Sequence, residues 1–141
     1  MKTECTDVET AVSYLRRLAQ ARMEILAAEE RRRATGGSVG DLIADLPQIL
    51  AAGGERSAAS HTRIAEPDVS IVVLHWPDGR EALVADETLA NLSSLGAAEL
   101  TDGRNRLRDF ERELSELRRR LHPVIGALEH EIATRAAGAV R

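Results

Sequence analysis

Aromatic side chains are nearly missing from this chain of 141 residues: Tyr14, Trp76 and Phe110 are the whole complement. Surfaces that bind single-stranded nucleic acid stack bases on several aromatic faces, so that class is disfavoured. Cysteine is down to Cys5 alone, which excludes an intramolecular disulfide and a cysteine-built zinc cage. No apolar run approaches ~18 residues, so the sequence offers no membrane-spanning helix. The start, MKTECTDVET, has no apolar signal core. These absences point to a soluble, cytoplasmic protein. Lysine is also scarce, one against 18 arginines, and the net charge is -4. A chain of that balance has no large DNA footprint, because neutralising phosphates takes a cationic surface. Arginine still matters locally, since its planar fork fits phosphate and guanine edges.

What the chain does have is helix former: 22 alanines, with abundant Leu, Glu and Arg. Val8, Val12, Leu15, Ala19, Met23 and Leu26 recur at spacings of three and four and predict an amphipathic helix over 6–34. Thr6 and Glu9 have capping-box spacing at its start. Arg31, Arg32 and Arg33 read as a solvated, dipole-compensating last turn, and Gly36-Gly37 as the stop. A short second helix is expected over 39–52, with Leu42, Ile43, Leu46, Ile49 and Leu50 as its apolar stripe and Pro47 kinking or interrupting it. A helix so short and apolar needs something to dock on.

The stretch 53–66 reads as a flexible Gly/Ser-rich linker. Within 69–85, the β-branched run Ser70–Trp76, the turn Pro77-Asp78-Gly79-Arg80 and the segment Glu81–Ala85 predict a small β-like hairpin. Another long helix follows over 97–137. Leu107, Phe110, Leu114, Leu117, Leu121, Val124, Leu128 and Ile132 give it a coiled-coil-like seam, and Pro123 is expected to bend it. The fold class is therefore all-α. One domain over 1–141 is expected, an antiparallel two-helix coiled-coil hairpin with a short docked helix and a small β-like hairpin excursion.

The two long helices repeat one another. Residues 9–29, ETAVSYLRRLAQARMEILAAE, lie over 111–131, ERELSELRRRLHPVIGALEHE, with Glu9/Glu111, Ser13/Ser115, Leu15/Leu117, Arg16/Arg118 and Arg17/Arg119 among the identities. Glu9, Ser13, Arg16, Gln20 and Glu24 are spaced 4, 3, 4 and 4 apart. They fall in one stripe roughly 80° wide, flanking the apolar seam. Glu111, Ser115, Arg118, His122 and Gly126 repeat it. Two such stripes on an antiparallel pair share a pseudo-two-fold axis and could line one groove. Arginine forks read guanine or phosphate, a carboxylate accepts from guanine N1-H and N2-H₂, and Ser and Gln supply neutral hydrogen bonds. A two-fold-symmetric, guanine-bearing dianion would match such a groove. Solvated faces carrying i, i+4 ion pairs are the simpler alternative.

The pattern Glu-x3-Ser-x2-Arg-x3-Gln-x3-acid resembles the signature of the RsiG family of actinobacterial anti-sigma factors. The resemblance covers 8–52 and 97–135, with GDLIADLPQIL matching the family's short helix after the first motif helix. It implies cyclic di-GMP as ligand, held by Glu9, Ser13, Arg16, Gln20, Glu24, Glu111, Ser115, Arg118 and His122. It also implies sequestration of a sporulation-type sigma factor, WhiG or a relative. Three positions depart from the signature: Glu24 stands for Asp, His122 for Gln, and Gly126 lacks the second acid. Leu42, Leu46, Ile49 and Leu50 are the expected sigma-factor contact. The competing expectation is a coiled-coil interaction or scaffold protein with a degenerate, ligand-free groove. No phosphate loop, nucleophile elbow or metal-ligand spacing appears, so neither catalysis nor a metal is expected.

Overall fold

The computed structural model describes residues 2–52, 67–73 and 87–138. The expected linker at 53–66 and residues 74–85 of the expected hairpin lie outside them. The described elements are all helical: α1 (Lys2–Thr35), α2 (Val39–Ala52), the single turns α3 (Ser70–Val73) and α4 (Glu87–Ala90), a 3-10 turn (Leu92–Ser94) and α5 (Ala97–Gly138).

The helices α1 and α5 pack side by side and run in opposite directions. Ion pairs join Lys2 to Glu129, Glu9 to Arg118, Arg16 to Glu111 and Glu30 to Arg104, so one number rises as the other falls. Their shared core consists of Ala11, Val12, Leu15, Ala19 and Leu26 from α1 and Leu100, Leu107, Phe110 and Leu114 from α5, joined by Val72 of α3. These positions recur every three or four residues because that spacing keeps side chains on one helix face. Each fully buried leucine contributes about 2 kcal/mol. The expected seam of α5 is buried only as far as Leu114; Leu117, Leu121 and Leu128 are half-buried, and Val124 and Ile132 are about half exposed. From Glu129 onward α5 runs past the start of α1, and its residues are exposed.

Helix ends follow local chemistry. Gly36, with φ 71°, closes α1: Gly37 N-H donates to the Arg32 carbonyl and Gly36 N-H to that of Arg33. That is a Schellman motif, and the left-handed φ at its C′ position favours glycine. Ser38 and Asp41 cap α2 reciprocally, the Ser38 N-H donating to Asp41 Oδ2 and the Asp41 N-H to Ser38 Oγ. Glu99 reaches back to the Gly96 N-H at the start of α5.

Three expectations need correction. Helix α1 begins at Lys2, not at a Thr6 cap; Thr6 sits inside it and its hydroxyl bonds back to the Lys2 carbonyl, 3.1 Å away. Pro47 does not interrupt α2. Pro47 and Ile43, whose carbonyl loses its helical donor, both lie on the exposed side of α2, where solvent can replace the bond. Ser70–Val73, expected to open a strand, form a helical turn. Asp68 accepts the Ser70 N-H and Val72 is buried against α1, so local capping and burial override β propensity.

Candidate functional site

The polar stripes of α1 and α5 meet. Glu9 Oε1 accepts from Ser13 Oγ on its own helix at 2.9 Å and from Arg118 Nε across the pair at 2.9 Å. His122 Nε2 lies 3.7 Å from the same oxygen. Glu111 Oε1 repeats this: Ser115 Oγ donates at 2.9 Å, Gln20 Nε2 at 3.0 Å, and Arg16 Nη1 approaches to 3.5 Å. Each cluster is one Glu with the Ser four residues on, the Arg of the other helix, and the residue four beyond that Arg. Antiparallel packing turns a sequence repeat into two copies related by an approximate two-fold axis.

The electrostatics are balanced. Two carboxylates face two guanidiniums, and each carboxylate is about one-fifth exposed. Burial works to raise the Glu9 carboxyl, but hydrogen bonds from Arg118 and Ser13 and the neighbouring charges of Arg118 and His122 outweigh it and hold it below its ordinary value. Arg16 keeps Nε buried with no hydrogen-bond partner among the described residues. Eight of the nine expected ligand residues therefore converge on the two clusters. Glu24 does not join them: it is exposed, one turn further along α1. Gly126 is exposed as well, and a Cβ placed there meets nothing within 4 Å. Chemically, the groove gathers forked donors, hydroxyls, an amide and an imidazole beside two acceptors, a set suited to purine edges and phosphates.

A third carboxylate–arginine cluster lies toward the C-terminal end of α1. Glu29 is 1% exposed. Arg32 grips it with two bonds of 2.7 Å and Arg33 Nε adds one of 2.6 Å. Arg32 also donates to the Gly37 carbonyl, and Arg33 to the carbonyls of Leu92 and Leu95. The Arg32 hydrogen bond first, then Arg33, outweigh burial and bring the Glu29 carboxyl down to about 2. The expected solvated arginine run is thus corrected at Arg32 and Arg33: they fasten the turn into α2 and the turn into α5, and Arg31 alone is exposed. The i+3 and i+4 spacing of Glu29 to Arg32 and Arg33 was the available signal.

Of the expected partner residues, Leu42 is buried against α1 at 8% exposure, and Leu46 and Ile49 are half-buried. The side chain of Leu50 lies outside the described residues. Ile43, 61% exposed, is the most open large apolar residue of α2 among the described side chains. It borders a cavity of about 330 Å³ between α1, α2 and the 89–93 turns, lined by Ile25, Val39, Leu42, Leu46, Leu89 and Leu92 among others. Among the described residues no cluster of His, Cys, Asp and Glu is arranged to hold a metal, and no helix is long and apolar enough to cross a membrane.

No curated protein matches the chain. A family model described as RsiG-like matches residues 1–50 and 86–141, passing over 51–85. The matched segments carry both groove helices, all but the last two residues of α2, and the turns that Arg33 ties to α1, while residues 69–85, which the sequence resemblance does not cover, fall in the gap. The chain belongs to the RsiG-like family.

Proposed function

We propose that this protein is an anti-sigma factor that binds cyclic di-GMP in the groove between α1 and α5 and, in that state, sequesters a WhiG-type sigma factor. The single observation that carries this reading is the two-fold repetition of one polar cluster around Glu9 and Glu111. A ligand with two guanines and two phosphodiesters has the same symmetry. Arg16 and Arg118 supply the forks for guanine O6 and N7; Ser13, Ser115 and Gln20 supply neutral bonds and His122 an imidazole; Glu9, Glu111 and Glu24 accept from guanine N–H groups. Binding exchanges the cross-helix arginine–carboxylate pairs for ligand contacts and braces α1 against α5 through the ligand. The braced pair, with Leu46, Ile49 and Leu50 and the exposed Ile43 of α2, then forms the sigma-factor surface. The protein acts in the cytoplasm, performs no chemical step and makes no direct contact with DNA.

Co-purification with the sigma factor tests this. Retention of the sigma factor should rise at least tenfold when cyclic di-GMP is present. Equal retention with and without the nucleotide contradicts the reading. The alternative is a coiled-coil scaffold with a ligand-free groove. It is favoured by the arginines' existing cross-helix partners and by the absent acid at Gly126.

A further inference from the structure

The inner groove is electrically neutral, since the charges of Glu9 and Glu111 cancel those of Arg16 and Arg118. A dianion entering these paired clusters finds no net counter-charge unless further cations reach it. The repeat contains one more arginine identity, Arg17 with Arg119. Each follows the motif arginine directly, lies four residues beyond the motif serine (Ser13 or Ser115), and so sits one turn along and on the outward side of its cluster. Both are exposed. Arg119 makes a loose 3.5 Å contact with Glu116, itself 60% exposed. The approximate two-fold axis that relates the two clusters relates these two arginines as well.

We propose that Arg17 and Arg119 form a symmetric outer pair that binds the two phosphodiesters of the ligand, while Arg16 and Arg118 read its bases. The inference rests on the cyclic di-GMP reading and assigns the charge recognition that the neutral clusters leave unsupplied. Arginine suits the role because its fork pairs bidentately with phosphate oxygens. Phosphate contacts at an exposed rim are screened by salt, whereas contacts in the half-buried groove are screened less.

The test is calorimetric titration with cyclic di-GMP at low and at physiological salt, on wild type, the double variant Arg17→Gln/Arg119→Gln, and the control Arg106→Gln. Arg106 is exposed on α5 but roughly half a turn round the helix from Ser115. The double variant should bind at least tenfold more weakly than wild type at low salt, and its affinity should fall less steeply as salt is raised. The control should match wild type. Wild-type binding with an unchanged double variant overturns the outer pair and leaves the ligand reading standing. No binding by wild type overturns both.

Discussion

Two kinds of carboxylate–arginine cluster sit along α1, and they are built differently. At Glu29 the partners are neighbours in sequence, the carboxylate is buried, and the arginines also hold backbone carbonyls, Arg32 that of Gly37 and Arg33 those of Leu92 and Leu95. At Glu9 and Glu111 the arginines come from opposite helices and the groups are partly open. The first arrangement fixes a chain path. On the proposed reading, the second leaves its donors able to change partners when a ligand arrives. An arginine beside a glutamate therefore carries no single meaning; burial and the remaining bonds decide between clasp and receptor.

The contrast yields a ranked set of expected outcomes. Glu29→Gln should cost about 3 kcal/mol in chemical denaturation, because two arginines lose their common charge partner in a buried site. The same group sets an acid dependence. Its folded value of about 2 lies below the ordinary 4.5. Its contribution is complete above about 4.5 and is lost as pH falls toward 2, because the unfolded chain takes up the proton first. Wild type should therefore lose stability over that window more steeply than Glu29→Gln; parallel curves would remove the clasp from the account.

Next is the surface beside the clasp. Ile43→Asp should weaken sigma-factor binding by roughly 30-fold, the size of a ~2 kcal/mol hot spot, with an unchanged melt. Leu42→Asp should instead lower the melting temperature, since Leu42 is core to the α1–α2 contact. Reversed outcomes would mean that the helix face has been assigned the wrong way round.

In the groove, Arg16→Ala or Arg118→Ala should each weaken cyclic di-GMP binding about tenfold, equivalent to ~1.4 kcal/mol. Folding should change little, because the cross-helix pairs are partly solvated. The smallest effects belong to Gly126. Both Gly126→Ala and Gly126→Asp fit the open space there, and Ala should stabilise α5 by up to about 1 kcal/mol. Asp alone should add ligand affinity by restoring a carboxylate. Equal affinity gains from both would assign the improvement to the helix.

The seams at spacings of three and four made α1, α2 and α5 legible, and the repeat made the two clusters legible before any contact was known. The remainder depended on tertiary placement. The run Ser70–Val73 is β-branched and apolar, and period alone does not separate a short buried strand from a helical turn. The capping-box spacing at Thr6 and Glu9 is also the spacing of an interior helix face, so the sequence could not place the first turn. The arginine run after Glu29 looked like solvated charge because the carbonyls it binds, at Gly37, Leu92 and Leu95, sit in turns whose positions are set only by the fold.

The central claim is that the paired clusters form a ligand site rather than a set of structural ion pairs. Calorimetric titration of the wild-type chain with cyclic di-GMP, alone and with the sigma factor present, tests it most directly. Saturable binding that tightens when the sigma factor is added is the expected result, because each partner must favour the other's binding by the same factor. An absence of binding heat in both titrations, across temperatures, would contradict the claim and leave Glu9 and Glu111 as structural groups.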